Sequence, residues 1–97
     1  MISTLYIHQH LGLGDHIFGN GMIRYILKMS DYDVIGLFAK SNYFDMVDYM
    51  YRDDVNIKVI EVDGNNEYGG VRDYLSENLD FKSHFLRVGH EHYHPNP

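Results

Sequence analysis

Two groups of residues in this 97-residue sequence have the types and spacing to do chemistry. One is a glycine turn ending on a carboxylate, Leu11-Gly12-Leu13-Gly14-Asp15, with His16 directly behind it and Asn20 and Arg24 a turn or two further on. Glycines two apart mark a tight turn. They let a ligand approach the backbone closely, and a helix opening behind them offers free N–H groups and the positive end of its dipole. Asp15 is the group in that turn able to take a proton from a ligand hydroxyl, since a partly buried crevice raises a carboxylate's pKa toward general-base work. Capping of the helix behind the turn is the other role open to the same aspartate. Asn20 and Arg24 are candidates to hold a sugar or a phosphate, or else are solvated helix positions.

The second group is the histidines. Of seven, His8, His10 and His16 cluster early, His90, His92 and His94 cluster at the end, and His84 stands apart. Residues two apart on a strand point to one face. If the strands leading to the two clusters are neighbours, both sets gather at one crevice, with His16 at the helix entrance. Imidazoles in threes suit zinc, nickel or copper, and Asp15 or Glu91 could complete such a divalent-metal site. The plainer expectation is that His8 hydrogen-bonds within the sheet and that the polar tail ending in Pro95-Asn96-Pro97 is a frayed terminus.

Several chemistries are excluded. A formal net charge of −6 leaves no positive stripe for nucleic acid. The absence of cysteine removes disulfides, thiolate metal sites and thiol nucleophiles. The dinucleotide fingerprint fails in both registers: Ile17 stands where the one starting at Gly12 needs glycine, and His16 where the one starting at Gly14 does. An aspartate after the second glycine would also repel a pyrophosphate. Asp53-Asp54 and Asp63 match no calcium loop and read as solvated turns. There is no G-x-S-x-G elbow and no P-loop lysine. No apolar run approaches the ~18 residues of a membrane span, and no leader-like segment opens the chain, so a cytoplasmic location is expected.

The elements that must position these groups alternate. Leu5-Tyr6-Ile7 begins a short apolar strand ending in His8-Gln9-His10. A helix follows from about His16 to Met29, with Ile23, Ile26 and Leu27 on one face. Val34-Ile35-Gly36-Leu37-Phe38-Ala39 reads as a central strand, and Ser41 or Asn42 as the cap of a second helix with Phe44, Val47 and Met50 or Tyr51 inward. The strand from Ile57 to Val62 is interrupted by Lys58 and Glu61, as at a sheet edge. A third helix runs from about Glu67 to Asn78, with Val71, Tyr74 and Leu75 inward. Phe85-Leu86-Arg87-Val88 is the fourth strand. The order β-α-β-α-β-α-β predicts an α/β fold, a Rossmann-like parallel sheet of four strands in order 3-2-1-4 with helices on both faces. Residues 1–89 form this half-domain and residues 90–97 a histidine-rich tail. No helix follows the fourth strand, so the domain reads as incomplete and that strand as an exposed edge. Ligands of such sheets bind where strand order reverses, here between the first and fourth strands.

The segment Leu13-Gly14-Asp15-His16-Ile17, with Met22-Ile23 as an apolar pair before Arg24 and then Leu27-Lys28, resembles the opening motif of the lipopolysaccharide heptosyltransferases and related GT-B glycosyltransferases. Gly21 departs from it, standing where that family has proline. The likeness runs by motif from the first strand to Lys28, and beyond that only by the order of elements. It implies that Asp15 is the catalytic base, with Gly12, Gly14, His16, Asn20 and Arg24 as the ligand-binding candidates around it. It also implies a sugar or glycan acceptor and a nucleotide-sugar donor held by a second Rossmann-like domain, for which 97 residues have no room. The chain is then the acceptor-side portion of a glycosyltransferase-like protein, inactive alone. The alternative is a small non-enzymatic α/β binding or assembly module, pairing through its exposed fourth strand with another chain or binding metal through the clustered histidines.

Overall fold

The two inner strands of the sheet, Thr4–Gln9 and Val34–Lys40, are buried along both faces, so the sheet needs cover from two sides. The computed structural model, which describes residues 2–9 and 13–88 and only the backbone of Leu13, Asp15 and Phe18, supplies that cover. Strand β1 (Thr4–Gln9) leads to helix α1 (Leu13–Met29), β2 (Val34–Lys40), α2 (Phe44–Met50), β3 (Ile57–Val62), α3 (Glu67–Asn78) and β4 (Ser83–Val88). The four strands are all parallel, in the order β3-β2-β1-β4. The chain is thus an α/β protein with the predicted topology.

The period-two alternation of the strands sorts the core into two layers. Leu5 and Ile7 of β1, Ile35, Leu37 and Ala39 of β2 and Ile57 of β3 pack with Ile23 of α1, with Val47 of α2 and with Tyr51 at its end. Tyr6, Phe38, Ile60 and Val62 point the other way and pack with Val71 of α3. Helices therefore cover both faces, α1 and α2 on one and α3 on the other. The α3 layer is aromatic: the Tyr74 ring meets Tyr6 edge-on at 5.8 Å and Phe38 at 5.6 Å. Gly36 makes room for it, because a Cβ there would lie 2.6 Å from the Tyr6 ring. Burial of each such side chain contributes about 1.5–3 kcal/mol.

The element boundaries differ from expectation in three places. Helix α1 opens at Leu13, so Gly14 and Asp15 sit in its first turn rather than in a turn before it. Glycine weakens a helix by about 1 kcal/mol, but this helix is anchored by fully buried Ile23 with Ile26 and Leu27 beside it. Ser41 does not cap α2: residues 41–43 form a 3-10 turn, and the Ser41 hydroxyl donates to the carbonyl of Val62, joining the ends of β2 and β3. Strand β4 starts already at Ser83, where Asp80 gathers both the backbone N–H and the hydroxyl of Ser83. Among the described residues no helix is long and apolar enough to cross a membrane.

Candidate functional site at the ends of β1 and β4

Strand order reverses between β1 and β4, where His8 pairs in register with Arg87 and Gln9 with Val88. Alternation sends His8 to the α3 face and Gln9 to the α1 face. A different polar group forms on each.

On the α3 face, four elements converge. His8 is buried, and its Nε2 lies 2.5 Å from Oε2 of Glu67, itself buried at the first position of α3. The other Glu67 oxygen lies 3.4 Å from Nζ of Lys40, the last residue of β2. From β4, Arg87 donates its Nε–H to Nδ1 of His8 at 3.3 Å. These bonds fix the tautomer. Nδ1 accepts, so the proton is on Nε2 and is donated to Glu67. Tyr68 meets the His8 ring edge-on at 5.5 Å and carries the Arg87 guanidinium 5.1 Å from its own centroid. A buried carboxylate, which alone would be costly, thus has both oxygens engaged. A polar cavity of about 230 Å³ adjoins Lys40, lined by Asn42, Asp63, Gly64 and Asn65.

On the α1 face, Gln9 is buried and its amide lies against Gly19, where a Cβ would come within 2.6 Å of Nε2. The helix approaches the strand end this closely because Gly19 has no side chain. The Gln9 Oε1 has no hydrogen-bond partner among the described residues. His16 is buried, its ring 5.7 Å from that of Tyr43. Among the described residues nothing lies within 4 Å of a Cβ built at Gly14.

The expected site residues separate accordingly. Gly14, the Asp15 backbone and His16 stand at the head of α1, beside the strand ends. Asn20 and Arg24 do not join them. Arg24 lies about ten residues, roughly 15 Å, further along the helix from Gly14. There its Nε–H donates to Asn20 at 2.9 Å, while Nη2 donates to the Met50 carbonyl at 2.9 Å and pairs with Asp53 at 3.0 Å. The guanidinium also lies 5.1 Å from the Tyr51 ring, so this pair fastens α1 to the far end of α2. Gly12, His10, His90, His92 and His94 lie outside the described residues, as does the side chain of Asp15. Among the described residues no three histidines or carboxylates gather to hold a metal. His8 spends both ring nitrogens on Glu67 and Arg87.

Sequence reasoning missed Glu67, Lys40 and Arg87. Each looked ordinary where it stood: an acidic residue in a first helical turn, and basic residues at strand ends. The usable signal was His8 itself, because an imidazole inside a buried strand requires a partner.

The chain matches no family model, and comparison with curated proteins and with solved structures finds no match.

Proposed function

We propose that the chain is the acceptor-side portion of a glycosyltransferase-like protein and that its share of the work is to hold a sugar or glycan acceptor at the carboxyl ends of β1 and β4. One observation carries the reading: the glycine–aspartate segment heads α1 at the place where strand order reverses, which is where open α/β sheets bind ligands. In the reaction Asp15 takes the proton of an acceptor hydroxyl while that oxygen bonds to the anomeric carbon. The nucleoside diphosphate departs with the electron pair of the broken bond, held by a second Rossmann-like domain. Free sugars added to the chain should shift the amides of residues 14–20 in a saturable way. In a protein that also carries the donor domain, Asp15→Asn should slow transfer by about 10²- to 10⁴-fold with acceptor binding retained. An unchanged rate in that variant would discard Asp15 as the base.

A second reading has its own support. Among the described residues no strand pairs on the outer side of β4, Leu86 on it is 43% exposed and Phe81 just before it is 81% exposed. Such an edge is a template for another chain, as an assembly module requires. Sedimentation would show association that Leu86→Lys abolishes.

A further inference from the structure

Among the described residues, the cluster on the α3 face holds more positive charge than Glu67 absorbs. Lys40 and Arg87 bring two cations, Glu67 brings one carboxylate, and His8 is neutral in the tautomer that its bonds require. The surplus sits on a chain whose formal net charge is −6. It resides on Arg87, because Lys40 is already drawn to Glu67. Arg87 is exposed, and among the described residues it pairs with no carboxylate. Its Nε is committed to His8, while neither terminal nitrogen of the guanidinium has an acceptor there.

An exposed arginine is ordinarily a loose side chain. This one is held. Its guanidinium lies 5.1 Å from the Tyr68 ring centroid and 5.2 Å from that of Phe85, each close enough for cation–π attraction. The His8 nitrogen that receives Nε–H is fixed by the bond from His8 to buried Glu67. Much of the rotamer entropy that binding would cost is therefore already lost on folding. What remains is a planar fork of donors matched to two oxygens of one anion, on the strand next to His8 at the reversal of strand order.

We infer that Arg87 is an anion-binding residue and that the ligand taken up between β1 and β4 carries a carboxylate or phosphate group. His8 and Glu67 are positioning residues for it. The inference stands apart from the glycosyltransferase reading, since it needs neither Asp15 nor a donor domain.

The test is a titration of the isotopically labelled chain with inorganic phosphate and, separately, with acetate, at ionic strength held constant with chloride. The readouts are the Arg87 Nε–H resonance and the His8 imidazole resonances. Saturable, concerted shifts of both at millimolar anion are expected. A response to phosphate alone assigns a phosphate-bearing ligand, a response to acetate alone a carboxylate, and a response to both a site open to either. Arg87→Gln should remove the saturable response. Arg87→Lys, which keeps the charge and loses the fork, should weaken binding by about tenfold. Should Arg87→Gln lose its folded spectrum, the lysine variant decides alone. No saturable shift with either anion, or an affinity unchanged in the folded variant, overturns the inference.

Discussion

At the Tyr51 hydroxyl the cost of burial is visible without compensation. The side chain is 2% exposed, its oxygen has no hydrogen-bond partner among the described residues, and burial pushes its pKa up to about 12. Arg24 beside the ring pulls the other way and is outweighed. A raised pKa means that the folded state favours the neutral phenol. That preference is fully present below pH ~10, the unfolded value, and is lost as pH rises toward 12. Tyr51→Phe should therefore leave stability unchanged or raise it by about 1 kcal/mol in urea unfolding, and should delete a step near pH 12 from the tyrosinate absorbance titration. Glu67 is the opposite case. Glu67→Ala strips the partner from buried His8 and from Lys40, and should cost about 3 kcal/mol. Glu67→Gln keeps an acceptor for the His8 Nε2–H, and urea unfolding should show a much smaller loss. Of this cluster the sequence revealed only His8. Its partner is 59 positions away, and nothing local to Glu67 marks it as buried.

At the scale of the element, α1 shows how one residue type serves two purposes along a single helix. Among the described residues nothing lies within 4 Å of a Cβ added at Gly21, whereas at Gly19 the Gln9 amide lies 2.6 Å away. Gly21→Ala should then raise the melting temperature, in line with a helix-propensity gain of about 0.5–1 kcal/mol. Gly19→Ala should show no such gain, since it must displace a buried amide that has little room to turn. An equal rise in both variants would contradict the packing described for Gln9. The helix interior was legible from Ile23, Ile26 and Leu27, because a 3.6-residue period survives any context. Its start was not. Gly14 and Asp15 carry turn chemistry, and only packing against the sheet decides that the helix extends back to Leu13.

Across the whole molecule, two exposed aspartates tie elements that are distant in sequence. Asp33, before β2, accepts from the backbone N–H and the hydroxyl of Ser3, before β1, and these bonds with Ser3 hold its pKa below the ordinary value. Asp53 is likewise lowered, first by its hydrogen bond with Arg24 of α1. For a lowered carboxyl pKa the stabilisation is present above the unfolded value of ~4 and fades as pH falls through the folded one. Stability should thus fall off below pH ~4, and Asp33→Asn should flatten that acid limb in a pH series of urea melts. A slope unchanged in the variant would remove Asp33 from the account. The sequence by itself determined the alternation of strands and helices, the parallel sheet, its order and the edge character of β3. Each follows from local periodicity together with the short, chirality-limited ways of connecting parallel strands. Only the tertiary structure decided which polar residues meet. The reversal of strand order between β1 and β4 brings Arg87 to His8, the helix on the face they share brings Glu67, and the same geometry carries Arg24 away to the end of α2. Those meetings depend on register and on which face a side chain takes, and neither is written in the spacing of any one segment.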